Sequence, residues 1–177
     1  MNVLDAIRNR RSVRNYSPRP IPEPVMEKLC EALRLAPSAC NYQPWRFIIV
    51  TDPEMRKKLA LAAYRQHFIA EAPVIIVGVG FPAQAYKRMG GYGNSIDVDV
   101  AIALDHLTLA AVEEGLGTCW IGAFVEEEVK KLLNIPAEAK VVALTPLGYP
   151  ASPDLIGPAP PSRRKPASEV FVRERFA

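Results

Sequence analysis

The spacing of apolar residues changes along the chain, and prolines and glycines mark the places where it changes. Apolar residues at every third or fourth position predict helices, whereas continuous or alternating apolar runs of about four to eight residues predict strands. Helices are predicted directly after Asn2 and over residues 24–36, 53–63, 94–114 and 126–134. Strands are predicted over residues 45–50, 73–79, 118–124 and 140–147. The pattern therefore indicates an α+β domain with about four strands and five or six helices.

Prolines divide the chain and set off its last part. The four prolines between residues 18 and 24 force an extended crossing between the first two predicted helices. Seven of the 17 prolines fall between Pro146 and Pro166. A segment of this composition cannot build a core, so it is expected to lie extended over this subunit or over another one. We predict a single domain, residues 1–177, with a proline-rich tail over about 150–177.

Composition indicates an ordinary globular protein and argues against several classes of function. Hydrophobic residues make up 49% of the chain, charged residues 23%, and the net charge is +3, which is too small to predict a nucleic-acid partner. The longest apolar run, residues 72–81, is too short to span a bilayer, so no membrane role is expected. Cys30, Cys40 and Cys119 match no zinc spacing, and we expect reduced, buried thiols in a cytoplasmic protein.

Positive charge is concentrated at the end of the first predicted helix. Four of the seven residues from position 8 to position 14 are arginines, namely Arg8, Arg10, Arg11 and Arg14. Such a cluster is a solvated face, a nucleic-acid patch or a pocket for a doubly charged anion. Guanidinium groups match phosphate geometry, and Ser12 adds a hydroxyl donor. Val13 and Tyr16 alternate with the arginines, and this alternation favours a half-buried, extended segment.

Two further segments are typical of ligand-binding loops, although each also fits a plain connector. Residues 36–45 form a polar loop with two prolines before a buried strand, and residues 115–124 place three glycines around a short strand. Arg163 and Arg164 form a basic run in the tail that on its own indicates a solvated surface. The sequence contains no Walker loop, no GxGxxG turn and no nucleophile with a paired base. An enzyme of this kind would need a cofactor for its chemistry.

Together, these four segments resemble the nitroreductase family of FMN-dependent oxidoreductases. The resemblance rests on R-R-S-V-R-N-Y at 10–16, P-S-A-C-N-Y-Q-P-W at 37–45, G-L-G-T-C-W-I-G-A-F at 115–124 and R-K-P at 164–166, in the family's order. It implies an α+β sandwich with a central, mainly antiparallel sheet flanked by helices. It also implies an intertwined homodimer with FMN bound at the subunit interface.

The resemblance further implies a set of flavin-binding residues. Arg10, Arg11 and Ser12 would hold the phosphate and ribityl chain, and Arg14 would lie near the pyrimidine side of the ring. A loop of the partner subunit would cover the flavin, two backbone amides would face N5 and O4, and two tail arginines would close over the phosphate. In that order, these residues are Pro37, Ser38, Asn41 and Gln43; Ile121 and Gly122; and Arg163 and Arg164.

The implied activity is hydride transfer from NAD(P)H through flavin N5 to a nitroaromatic, quinone or related small acceptor, in a ping-pong mechanism. No catalytic side chain is expected, because the flavin carries the chemistry and Arg14 tunes it. Three alternatives stay open at this point. They are a flavin carrier without turnover, a specialised flavin redox enzyme acting on an unknown metabolite, and a nucleic-acid module built on residues 8–14. The last would leave the other three segments unexplained.

Overall fold

The computed structural model describes residues 1–176. Its helices and strands follow one another in a single α+β chain. The helices are α1 (Val3–Asn9), α2 (Glu23–Arg34), α3 (Pro53–Ala62), α4 (Phe68–Glu71), α5 (Ile96–Glu113), α6 (Glu126–Leu133) and α7 (Ala167–Val170). The strands are β1 (Trp45–Val50), β2 (Val74–Gly80), β3 (Gly117–Thr118) and β4 (Lys140–Gly148). Short 3₁₀ turns lie at Ala39–Asn41, Pro153–Leu155 and Pro161–Arg163.

The four strands form one antiparallel sheet in the order β1-β2-β4-β3. Strand β2 is central, and all seven of its residues are buried. Side chains of alternate β2 residues point to opposite faces of the sheet, so both faces need a cover of helices. One face packs against α2 and α5, and the other against α3, α4 and α6. The predicted antiparallel sheet flanked by helices is therefore confirmed.

Glycine lets α5 lie directly on the central strand. A Cβ added at Gly80 would stand 2.3 Å from Ile96 Cγ1, and one at Gly78 would stand 2.9 Å from Val100 Cγ1. The helix therefore approaches closer than any side chain at these two positions would allow. Ala103 and Leu107, farther along α5, are fully buried in the same core. Helix α5 is therefore a central element of this core.

Local signals in the sequence set most of the boundaries. The side chain of Asn2 accepts a hydrogen bond from the Asp5 amide and caps α1, and Asp52 caps α3 by accepting from the Met55 amide. Helix α2 ends at Arg34 rather than at residue 36, because Pro37 disfavours helical backbone in the residue before it. Helix α4 and the short turns of the tail were not predicted, since their apolar spacing covers only one turn.

The predicted strand over residues 118–124 is wrong beyond Thr118. Only Gly117 and Thr118 pair with β4, and Ile121 forms a single isolated bridge with Leu144. The backbone N–H and C=O of Leu144 both hydrogen-bond Ile121 on this edge. In an antiparallel strand the backbone groups of alternate residues point to the same side, so those of Pro146 also point towards this edge. Because proline has no N–H, β4 offers no donor between the two paired points. The prolyl ring thus interrupts the edge strand and leaves residues 119–120 unpaired.

The tail leaves the body of the chain at Gly157. From Pro158 to Phe176, no residue is buried against the rest of the described chain, and Phe171 is 74% exposed.

Of the three cysteines, Cys119 is buried, Cys30 is half-buried and Cys40 is exposed, so the expectation of buried thiols is wrong for Cys40. Among residues 1–176, no helix combines the length and apolar character needed to cross a membrane.

Candidate functional site

The arginine segment, residues Arg10–Arg14, lies against the glycine-rich edge of the sheet. Ser12 forms a parallel bridge with Thr118, and the Val13 amide donates to the Thr118 carbonyl over 2.9 Å. Val13 is 1% exposed and fits over Gly117, where an added Cβ would stand 2.4 Å from Val13 Cγ2. Two segments about a hundred residues apart in sequence therefore contact each other within one subunit. Strand β3 supplies the surface against which the arginine segment lies.

The buried residues Val13 and Tyr16 determine which side chains of the segment face outward. Tyr16 is 5% exposed, and its hydroxyl lies 2.8 Å from the Val13 carbonyl oxygen and 3.3 Å from that of Pro146. Burial raises the Tyr16 pKa, so the phenol stays protonated and donates. In extended backbone, alternate residues share a face, so Ser12 and Arg14 lie opposite buried Val13. The predicted half-buried, extended segment is confirmed.

The positive charge of the segment is not neutralised within the chain. In the described part of the chain, no carboxylate forms an ion pair with Arg10, Arg11 or Arg14, whereas Arg8 pairs with Asp5 at 3.6 Å. Three guanidinium groups without carboxylate partners create a local positive field that attracts anions. Burial raises the pKa of the Cys119 thiol beneath them, so that cysteine is a neutral packing group.

Arg11 differs from its neighbours because it binds the chain itself. Its Nη1 donates to the Gly157 carbonyl over 3.1 Å, and the Gly157 amide donates to the Asn9 carbonyl over 3.1 Å. The point where the tail departs is thus fixed directly beside the arginines. Arg163 and Arg164 lie beyond it, exposed, and within residues 1–176 neither side chain forms a hydrogen bond or an ion pair. Their closure over a phosphate stays a prediction.

The two backbone amides predicted to face a flavin differ in the structure. The Ile121 amide donates to the Leu144 carbonyl over 2.9 Å, so the expectation that it serves a ligand is corrected: it anchors the segment to β4. The Gly122 amide has no acceptor among the described residues. Gly122 is exposed, and an added Cβ would find its nearest neighbour, Trp120 Nε1, 3.7 Å away. One accessible donor beside an open surface therefore lies along the same edge as the arginines.

A strained turn borders Gly122. Tyr64 and Arg65 have φ values of 54° and 60°, which side chains with a Cβ rarely adopt. The Gln66 side chain holds the turn by donating to the carbonyls of Ala63 and Ala123 over 2.9 Å and 3.2 Å. This turn presents Tyr64 and Arg65 as exposed side chains near the glycine segment. The local sequence carries no signal for this strain, because neither Tyr64 nor Arg65 belongs to the residue types that favour positive φ.

The proline loop, residues Pro37–Gln43, lies at the opposite corner of the same sheet. It runs through Pro44 into Trp45, which pairs with Gly80, whereas Thr118 pairs with Leu147, which pairs with Val74. Val74 and Gly80 are the two ends of β2, about 20 Å apart at roughly 3.4 Å per residue. Within one chain, the loop and the arginine segment therefore form two separate groups of predicted flavin residues.

Hydrogen bonds shape the proline loop internally. The Ser38 hydroxyl oxygen accepts from the Gln43 amide over 2.9 Å, and the Asn41 amide donates to the Ser38 carbonyl over 3.0 Å. Gln43 Nε2 donates to Asn41 Oδ1 over 3.1 Å, so the Asn41 side-chain NH₂ points elsewhere and has no acceptor in residues 1–176. Asn41 and Gln43 are exposed. The loop thus carries a polar side chain with donors left for a ligand.

Known proteins resemble the chain along most of its length. The model of the Nitroreductase family matches residues 7–66 and 60–149. An NADH dehydrogenase of Thermus thermophilus is 32% identical over 202 residues, covering 96% of this chain and 96% of that protein. An FMN reductase (NAD(P)H) of Bacillus subtilis is 28% identical over 190 residues, covering 97% of this chain and 75% of that protein. The arginine segment and the glycine edge both fall inside the matched region.

Solved structures agree at the level of the fold. The crystal structure of a nitroreductase family protein from Clostridium difficile 630 has a TM-score of 0.88 to this chain and 29% sequence identity. The superposition covers 99% of this chain and 100% of that one. The tail, which makes little contact with its own body, is therefore included in the overall match.

Proposed function

Because the chain belongs to the nitroreductase family, we propose that it is an FMN-dependent NAD(P)H oxidoreductase whose flavin site is completed by a second copy of the chain. The observation that carries the proposal is the arginine segment, Arg10–Arg14, which lies against β3 without carboxylate partners, together with the free amide of Gly122, four residues along the chain from the end of β3. These donors suit a ligand with a doubly charged phosphate at one end and hydrogen-bond acceptors at the other.

The charges match the phosphate of FMN. A phosphate monoester carries about −2 near neutral pH, and guanidinium groups bind its oxygens in pairs. Arg10 and Ser12 would bind the phosphate, with Arg11 between the phosphate and the Gly157 carbonyl that it already holds. Arg14, farther along the same face, would lie beside the pyrimidine side of the ring. A cation there favours the anionic reduced flavin and raises its reduction potential.

The Gly122 amide has a role in orientation. When bound, FMN would supply the redox chemistry between NAD(P)H as hydride donor and the acceptor. The N–H of Gly122 would donate to the reactive edge of the ring, and the surface around it is open. We propose a nitroaromatic, quinone or related small molecule as the acceptor, with no protein acid or base required for hydride transfer.

The position of the proline loop supports a shared site. It lies about 20 Å along the sheet from the arginine segment at roughly 3.4 Å per residue, so Asn41 would serve the flavin bound mainly by the other subunit. Exposed apolar residues also indicate a covered surface: Val3 and Leu4 are 70% and 60% exposed, and Phe171 is 74% exposed. We propose an intertwined homodimer in which the tail of one chain lies on its partner.

Mixed dimers test this arrangement. Arg10→Ala and Asn41→Ala chains, each impaired alone, are refolded together and purified by two affinity tags. Each mixed dimer has one site with both changes and one with neither, so FMN binding is expected to return at about one site per dimer. The control is a dimer in which one chain carries both substitutions, which leaves no intact site. Equal FMN binding by both kinds of mixed dimer would contradict a shared site.

A further inference from the structure

Asp99 is a buried carboxylate outside the groups already described. It lies in the first turn of α5 and is 2% exposed, and no basic side chain forms an ion pair with it in the described chain. Its Oδ2 accepts from the Ser95 hydroxyl over 2.6 Å, and its Oδ1 accepts from the Ala39 amide over 2.9 Å. The helix N-terminus adds partial positive charge there. Two neutral donors offset only part of the free-energy cost of burying a carboxylate without an ion pair.

The Ala39 bond is the main tie between the proline loop and the rest of the fold. From Pro37 to Gln43 no residue is buried, while Ala36 and Pro44 on either side are. The other hydrogen bonds of the loop stay within it or reach its chain neighbour Trp45. Among residues 1–176, the Asp99 carboxylate is thus the one distant group that hydrogen-bonds the loop, from 60 positions away.

The loop needs such a tie because its backbone is strained. Cys40, Asn41 and Gln43 have φ values of 51°, 56° and 50°, three left-handed non-glycine residues within four positions. Each such residue is unfavourable in free energy and persists only where the surroundings impose it. Packing of their own side chains cannot impose it here, since Cys40, Asn41 and Gln43 are exposed. The hydrogen bonds of Ser38 and Asp99 remain as the constraint.

We infer that Asp99 is a positioning residue that holds the proline loop in its strained form and so sets the direction of the Asn41 side chain. The carboxylate fixes Ala39, the first residue of the 3₁₀ turn Ala39–Asn41, and the turn then places Asn41 two residues later. Asp99 does not touch the flavin in this scheme. The inference rests on the proposed function in one respect, namely that the loop contacts a flavin.

Two substitutions remove the same bond from opposite sides. Asp99→Ala removes the acceptor in the core, and Ala39→Pro removes the donor on the surface. Proline suits position 39, because it begins a helical turn and follows Ser38, whose backbone is extended at φ −137° and ψ 160°. Asp99→Asn keeps an acceptor for the Ala39 amide. Asp97→Ala is the matched control, since Asp97 lies on the same turn but is exposed and pairs with Lys140 at 2.7 Å.

The first readout is amide hydrogen exchange without added FMN. The Asn41 amide is expected to exchange at least about tenfold faster in Asp99→Ala and Ala39→Pro than in the wild type. Amides of β2 should be unchanged, as should the Asn41 amide in Asp97→Ala. The second readout is FMN affinity, with the Kd raised about ten- to hundredfold in the two bond-removing variants and within about threefold in Asp99→Asn.

The outcomes separate positioning from stability. If Asp99→Ala melts earlier but keeps wild-type Asn41 exchange and FMN affinity, Asp99 is only a structural residue and the inference is wrong. If Asp99→Ala does not fold, Ala39→Pro decides, and its wild-type exchange and affinity would overturn the inference equally. If the wild type itself binds no FMN, the proposed function fails, whereas the exchange measurement still shows whether Asp99 holds the loop.

Discussion

Arg10→Ala is expected to weaken FMN binding by about ten- to hundredfold. A charge-assisted hydrogen bond contributes about 1.5–3 kcal/mol, and a tenfold change in Kd corresponds to about 1.4 kcal/mol. Arg10 has no carboxylate partner among the described residues, so its removal leaves no buried acid unpaired. The change should therefore affect the ligand far more than the fold. Titration of FMN, followed by quenching of its fluorescence, measures the Kd directly.

Arg8→Ala is the matched control for this prediction. It removes the same charge two positions away, but Arg8 is 67% exposed on its side chain and pairs with Asp5. Its Kd should stay within about twofold of the wild type, because an exposed charge at a distance is screened by salt. Equal losses in Arg8→Ala and Arg10→Ala would mean that the segment attracts anions only through its overall charge. No defined phosphate pocket would then be supported.

Gly122→Pro is expected to lower kcat about a hundred- to thousandfold while leaving FMN bound. Removing a single preorganised donor at the reacting centre has an effect of this size in other enzymes. The substitution suits the backbone, since Gly122 does not have a positive φ and its amide bonds no described residue. Ile121 before it is extended in its bridge with Leu144, as a residue preceding proline should be.

Gly122→Ala separates the amide from the side chain. It keeps the N–H, and its Cβ would find only ordinary contact, with Trp120 Nε1 3.7 Å away. Activity within a few-fold of the wild type is expected for alanine, against the large loss for proline. The comparison uses steady-state rates with saturating FMN. Similar losses in both variants would show that space over Gly122, rather than its amide, limits the reaction.

Local sequence signals were enough to predict most elements of the fold. The strand over residues 45–50 and the start of the next helix at residue 53 are predicted as they occur, because strand patterning and capping depend on neighbours in the sequence. The early end of the edge strand β3 is not predicted, since the interruption depends on which side of β4 Pro146 faces. That direction follows from the pairing register and not from the residue type.

The sequence predicts part of the candidate site, but not how its backbone groups are used. The charge of Arg10–Arg14 indicated an anion site, and the structure brings the segment to the glycine edge as expected. The Ile121 amide was assigned to the ligand, because a sequence does not show which N–H groups a sheet already uses. The hydrogen bond between Asp99 and Ala39 joins residues 60 positions apart, which local spacing cannot predict.

Anaerobic reduction of the purified protein, reconstituted with FMN, tests the central proposal most directly. The protein should be yellow, and its flavin absorbance should bleach on addition of NADH or NADPH and return when a quinone or nitroaromatic acceptor is added. A panel of both nucleotides and several acceptors in the same assay would identify the preferred pair. Protein that takes up no FMN, or flavin that is bound but reduced by neither nucleotide, would contradict the account, and the second result would indicate a flavin carrier.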